Sequence, residues 1–196
     1  MRSLKHAFAT MMLMFVMAGC SENSLSEMKD RKPMFSLEEF FAGQTVAYGI
    51  FEDRFGKLRR QFRVNITGKV DGNTLILDED FLYDDGEKAN RIWMITNMGR
   101  DAEGNIQYRG EAEDIVGVAT GAVAGNALNW SYIIDLETGG NTLRVKFNDW
   151  IYQQDEHVAI NRAYVKKFGV EIGSVTLVFL RGKAAETLGP LDLSSW

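Results

Sequence analysis

From Gly43 onward the hydrophobic pattern repeats every second residue, and no other property of the chain narrows its fold so far. Gln61-Phe62-Arg63-Val64-Asn65-Ile66-Thr67 alternates polar and apolar almost without a break. Leu75, Leu77, Phe81 and Tyr83 share one face of the next run. Period two places successive side chains on opposite faces of a strand, whereas a helix needs period 3.6. Asp71-Gly72-Asn73, Asp84-Asp85-Gly86, Asp101-Ala102-Glu103-Gly104 and Thr138-Gly139-Gly140-Asn141 bring turn residues at near-regular intervals. Further runs span roughly 45–54, 89–98, 106–114, 126–136, 142–153, 157–167 and 170–181. The pattern predicts an all-β domain of about eight or nine strands. Such an antiparallel meander loses its unpaired edges most simply by closing into a single up-and-down β-barrel; a two-sheet β-sandwich is the alternative. Arg59-Arg60, Arg144, Lys146 and Lys166-Lys167 interrupt the outward apolar band that a membrane-spanning barrel requires.

The N-terminus has a different character. Arg2 and Lys5 precede an uncharged apolar stretch, Ala7 to Met17, and then Ala18, Gly19 and Cys20. That order reads as a secretory signal peptide over residues 1–19. Eleven residues extend about 16 Å as a helix, roughly half a bilayer core. Met17-Ala18-Gly19-Cys20 resembles a lipoprotein lipobox, with Cys20, the chain's single cysteine, as the acylated first residue of the mature protein. One thiol forms no internal disulfide and no zinc site. Ser21 stands where aspartate retains such lipoproteins in the inner membrane. The expected location is therefore the outer membrane, facing the periplasm and held by the lipid at Cys20.

The mature chain divides simply. Residues 20–35 read as the lipidated cysteine and a flexible polar tether. Ser36-Leu37-Glu38-Glu39 has the form of a capping box, and Phe40, Phe41 and Gly43 complete a short helix. The barrel domain is expected over 36–182 and an exposed tail over 183–196. Loss of Arg2 and Lys5 leaves 20 basic against 27 acidic side chains, a net charge of −7. That balance gives no global attraction to nucleic acid.

Little of the chain carries recognisable chemistry. The mature sequence has one histidine, His157, in the polar turn Gln153-Gln154-Asp155-Glu156-His157. Imidazole-based metal sites are excluded, and no cofactor motif is present. Gly117 to Gly125 is rich in small residues but lacks the Gly-Lys-Ser/Thr ending of a phosphate loop. It reads as a close-packed turn or a tightly approached strand. Strand parity supplies the candidate site. Leu143, Val145, Phe147 and Asp149 share one face of the run 142–152, opposite Arg144 and Lys146. Arg54 shares parity with Val46, Tyr48 and Ile50; Arg91 with Trp93 and Ile95; Arg162 with Val158 and Ile160. A charge turned inward needs a partner. The expected interior is an apolar cavity with Trp93, Trp130 and Phe147, anchored by Asp149 and one or more of Arg54, Arg91 and Arg162.

Several segments together resemble one family. They are Phe51 to Gly56, Tyr83 to Gly86 with Arg91-Ile92-Trp93, Ala112 to Gly121, Gly125 to Tyr132, and Asn148 to Tyr152 with Asn161-Arg162-Ala163. In this order, over roughly 36–181, they resemble the bacterial lipoprotein family catalogued as domain of unknown function 3833. The resemblance implies a lipocalin-like barrel and a connection with lipid, and it carries over no activity and no catalytic residue. Three functions fit. The first is a carrier of an apolar or acyl ligand, and the second a structural envelope lipoprotein. The third is a lipid-modifying barrel enzyme with Asp149 or Asp114 as its acid–base group.

Overall fold

The computed structural model describes residues 23–138 and 141–196. The signal segment, Cys20, Ser21 and the Gly139-Gly140 turn tip lie outside the described residues. Among them, ten strands run in sequence: β1 (Gly43–Asp53), β2 (Leu58–Asp71), β3 (Thr74–Tyr83), β4 (Lys88–Arg100), β5 (Ile106–Glu111), β6 (Ala119–Ala124), β7 (Ala127–Thr138), β8 (Asn141–Gln153), β9 (Val158–Lys167) and β10 (Val170–Arg181). Each pairs antiparallel with its sequence neighbour, and β1 pairs with β10 to close the barrel. The up-and-down barrel is thus as expected, with one strand more than the pattern suggested.

The additional strand is β6, inside the small-residue segment 117–125. Its sequence, Ala-Thr-Gly-Ala-Val-Ala, shows no alternation because the wall there is thin. A Cβ at Gly110 on β5 or at Gly121 on β6 would sit 2.5 Å from the Trp130 ring. The two glycines leave the room that the indole occupies. Over this seam Trp130 reaches Trp93 edge-on, with ring centroids 5.7 Å apart. The segment is a strand kept low for an aromatic side chain.

The inner and outer faces follow the alternation. On β2, Phe62, Val64 and Ile66 are buried, while Arg63 and Asn65 face outward. Arg144 and Lys146 on β8 are exposed. An apolar inside and a polar outside are the reverse of a membrane-spanning barrel. No helix among the described residues is long and apolar enough to cross a membrane.

One end of the barrel is plugged. The helix α1 (Leu37–Phe41) is capped by the Ser36 side chain, which accepts from the Glu39 backbone N–H at 3.2 Å. Leu37, Phe40 and Phe41 are buried by it, and Phe35 just before it. Glu38 ties the helix to the wall, accepting from the Tyr108 hydroxyl and from Asn97 Nδ2, each at 2.8 Å. Burial, with the Glu38 acceptor beside it, keeps the Tyr108 hydroxyl protonated well above the usual phenol range. The far end, where the hairpins 54–57, 84–87 and 168–169 turn, carries no helix among the described residues.

Two flanking segments carry structure of their own. The segment expected as a flexible tether is seated on the barrel at Met28 and Phe35. Met28, in a short 3-10 turn (Leu25–Met28), is buried against Ala127 and Trp150. Trp150 is the reason: it points out of β8, and its indole needs covering. The Phe35 N–H then donates to the Gly125 carbonyl at 2.8 Å. The expected exposed tail also contains a helix, α2 (Lys183–Leu188), that buries Ala185. Beyond it Leu191 exchanges two hydrogen bonds with the Asn65 side chain, at 2.8 and 2.9 Å. The side chains of Trp196 and Arg63 then meet, the guanidinium 4.5 Å from the ring centroid.

Candidate functional site

The barrel encloses a cavity of about 460 Å³ lined by thirty side chains. That lies within the range of small-molecule sites, roughly 300–1,000 Å³. Most of the wall is aliphatic or aromatic. Leu37 and Phe41 form the closed end, and Phe51, Phe81, Tyr83 and Ile172 lie toward the open one. An aromatic row runs along one side: Trp93 meets Tyr132 edge-on at 5.3 Å, and Tyr132 stacks on Phe147 at 5.1 Å.

The polar groups cluster in a band on this apolar wall. Glu79 on β3 and Arg91 on β4 are register partners. Trp130 on β7 is the partner of Asp149 on β8. Asn161 on β9 completes the set. Arg91 is committed elsewhere: its Nε and Nη2 donate to Asp114 Oδ2 at 2.9 and 2.6 Å. Asp114 lies in the β5–β6 loop, which folds onto β7 through an Ile115–Ile134 bridge. Asp149 is 8% exposed. Its Oδ2 receives one long hydrogen bond, 3.5 Å, from Asn161 Nδ2. Asp149 Oδ1 and Asn161 Oδ1 are buried and without a partner.

The electrostatics follow from this arrangement. Burial is the dominant influence on Asp149, opposed by the Asn161 hydrogen bond and the Arg91 charge; its carboxyl is pushed up to about 7. Burial likewise raises Glu79 to about 7, with Arg91 opposing and Asp114 and Asp78 reinforcing. Glu79 is half-buried by accessible area because its side chain borders the hollow. Burial opposes the Arg91 charge, but Tyr132, Glu79 and Asp114 outweigh it and hold the guanidinium ionised. Burial, reinforced by Asp149, keeps the Tyr132 hydroxyl protonated.

Of the residues expected in the site, Arg91, Trp93, Trp130 and Asp149 line the cavity. Arg54 and Arg162 do not. Arg54 follows the last residue of β1 and is exposed, its guanidinium 4.7 Å from the centroid of the Phe55 ring. Arg162 faces outward, donating to Thr176 Oγ1 at 2.6 Å and to Glu52 at 3.4 Å. Both misplacements have one cause. The inner positions of β1 and β9 include Ala47, Gly49, Ala159, Asn161 and Ala163, small or polar, while Tyr48 and Ile160 face out. Hydrophobicity points the wrong way on a strand whose inner face must be small to admit its neighbours' rings, such as Phe62 over Gly49. Among the described residues no arginine pairs directly with Asp149. Asp114, a candidate acid–base group, is the counter-ion of Arg91 and is not part of the cavity wall.

Glu79, Tyr132 and Asn161 were not anticipated. Glu79 shares parity with Leu75, Leu77, Phe81 and Tyr83, so alternation alone would have placed it inside. No group of three or more His, Cys, Asp or Glu among the described residues could hold a metal ion.

The fold and its interior define a closed antiparallel barrel with an apolar ligand-sized cavity. The chain belongs to the family described as "Protein of unknown function (DUF3833)", whose model matches residues 14–181. No curated protein matches it. Among solved structures it is similar to an S-type phycobiliprotein lyase, CPES, from Guillardia theta. The two share 12% identity over 76% of this chain and 94% of the lyase, with a TM-score of 0.52. At that identity the likeness is one of fold.

Proposed function

We propose that this protein is an outer-membrane-anchored periplasmic lipoprotein that binds and carries one apolar, acyl-type ligand whose head group donates hydrogen bonds. The observation that carries the reading is the cavity itself. A barrel serving only as an envelope scaffold is most stable filled with its own side chains, since voids forfeit packing contacts. This one keeps 460 Å³ open behind an apolar wall. The head-group preference comes from Asp149 and Asn161, whose unpartnered acceptors face a donor better than another carboxylate. Arg91 and Arg60, the cavity-lining cations that would recognise a fatty-acid carboxylate, are spent on Asp114 and on Asp85 and Glu87.

Native mass spectrometry of the mature protein purified from its own membranes, with extraction of bound lipid, tests this directly. A long-chain monoacylglycerol is expected to bind more tightly near pH 8 than the fatty acid of equal length. Ala163→Phe, which projects a ring into the cavity beside Asp149, is expected to weaken binding by about tenfold or more without lowering the melting temperature. Absence of bound lipid together with no saturable titration overturns the reading. For the anchor, Cys20→Ser is expected to abolish membrane pelleting; a variant that still pellets with normal mobility removes the lipoprotein assignment.

A catalytic reading has one observation in its favour. Glu79 and Asp149, both held near 7 in an apolar cavity, are poised for proton transfer at neutral pH. Conversion of the bound lipid over time, lost in Asp149→Asn, would replace carriage with catalysis.

A further inference from the structure

We propose that the open end of the barrel docks on an anionic lipid surface through the tips of two neighbouring hairpins, at Phe55 and Phe168. The hairpins β1–β2 and β9–β10 adjoin because β1 pairs with β10. Asp53 is the register partner of Gly173, and the Arg54 N–H donates to the Ile172 carbonyl at 3.1 Å. Phe51 and Ile172, just inside these tips, line the cavity, so the tips stand at its mouth.

Phe55 is 80% exposed and Phe168 is 94% exposed. Neither contributes to the core. Phe168 also has φ 50°, the left-handed region, which a bulky L residue adopts unfavourably. An aromatic side chain placed where both solvent and backbone disfavour it has its use outside the fold, and strain of this kind concentrates at functional positions. Each ring carries a cation: Arg54 lies 4.7 Å from the centroid of Phe55, and the Lys167 ammonium 5.4 Å from that of Phe168. Lys57 adds a third charge between the two strands of the first hairpin.

That combination, apolar tips to enter the headgroup layer and cations at phosphate level, is what an anionic bilayer selects. It stands out against the rest of the molecule, which is net acidic. On the other side of the first hairpin, the β3–β4 turn carries Asp84 and the Arg60-paired Asp85, and the β5–β6 loop beyond it carries Glu113 and the Arg91-paired Asp114. A negative surface would attract one side of the rim and repel the other, so the barrel would dock tilted, with the cavity mouth beside the lipid. A lipid then passes between bilayer and cavity with little exposure to water. The docking surface stands whether or not the cavity takes an acyl chain.

The strands, core and cavity are built from residues 23–196, so the unlipidated chain 21–196 suffices for the test. It is mixed with phosphatidylcholine vesicles and with vesicles containing about one-third phosphatidylglycerol, then sedimented. Binding is expected on the anionic vesicles only, with release at high salt. Phe168→Asn places at φ 50° a residue that accepts it, so this variant should fold at least as well as the parent. Combined with Phe55→Ser it is expected to lose about tenfold or more of the vesicle affinity. The proposal is overturned by equal binding to zwitterionic vesicles, by no binding to either, or by full binding of the double variant. A tip-dependent dimer without vesicle binding would assign the patch to a second copy and equally overturn it.

Discussion

Asp149→Asn is expected to stabilise the empty barrel near pH 8 and to do so by less than half as much near pH 5. In the folded chain burial pushes the Asp149 carboxyl from 3.8 up to about 7. The folded state thus holds this proton more tightly than the unfolded chain does. The contribution of the neutral acid is fully present below the unfolded value, near 4, and is lost as pH rises through about 7. The difference between 3.8 and about 7 corresponds to an effect on the order of 4 kcal/mol above that range. Asparagine keeps the shape and the Asn161 contact and carries no charge to bury. Denaturant titrations near pH 5 and pH 8 would read the difference directly. An Asp149 clamped by an arginine gives the opposite sign, a loss of about 3–5 kcal/mol from stranding the guanidinium. Destabilisation at both pH values would therefore show that a cation reaches Asp149 in solution. Glu79→Gln should shift stability in the same direction by less, because Glu79 is half-buried and directly opposite Arg91 in the register.

The reversal of sign shows which parts of the site alternation can resolve. Asp149 was legible because β8 is regular: Leu143, Phe147, Asp149 and Ile151 line the cavity in phase, and Val145 between them is buried. Arg91 was legible on the same grounds, beside Trp93. Its partner was not, because Asp114 belongs to a loop that folds back onto β7 and has no period. The inward turn of Asn161 in place of Arg162 was hidden by Ala159 and Ala163. Alanine reports nothing about which face it occupies, and the apolar Val158 and Ile160 lie on the outside. The barrel itself was readable from turns and alternation. Its tenth strand was not, because β6 is built of alanines, Thr120, Gly121 and a single valine and so lacks the apolar signal a strand normally carries. The seating of Met28 was likewise invisible in a polar segment. Its cause is Trp150, far along the chain, on the outer face of β8.

Phe40→Ala is expected to lower stability by about 3–5 kcal/mol. Phe40 is 1% exposed and holds the plug together. Its ring meets Phe35 edge-on at 5.7 Å and Phe41 edge-on at 5.0 Å, and Phe41 in turn meets Phe179 of β10 at 5.2 Å. The Arg181 guanidinium lies 5.6 Å from the Phe40 centroid on the outer side. Phe40 is not part of the cavity wall, whereas Leu37 and Phe41 are. Truncation therefore leaves the ligand-facing surface in place and removes the wedge that seats the helix against the strands. A fall in denaturation midpoint at constant slope is the expected readout, meaning that plug and barrel unfold as one unit. A cost below about 1 kcal/mol would mean instead that the helix opens independently of the strands. That outcome would move the ligand's route from the aromatic tips at Phe55 and Phe168 to the helical end, because a wall this tightly paired admits an apolar chain only where an end can part.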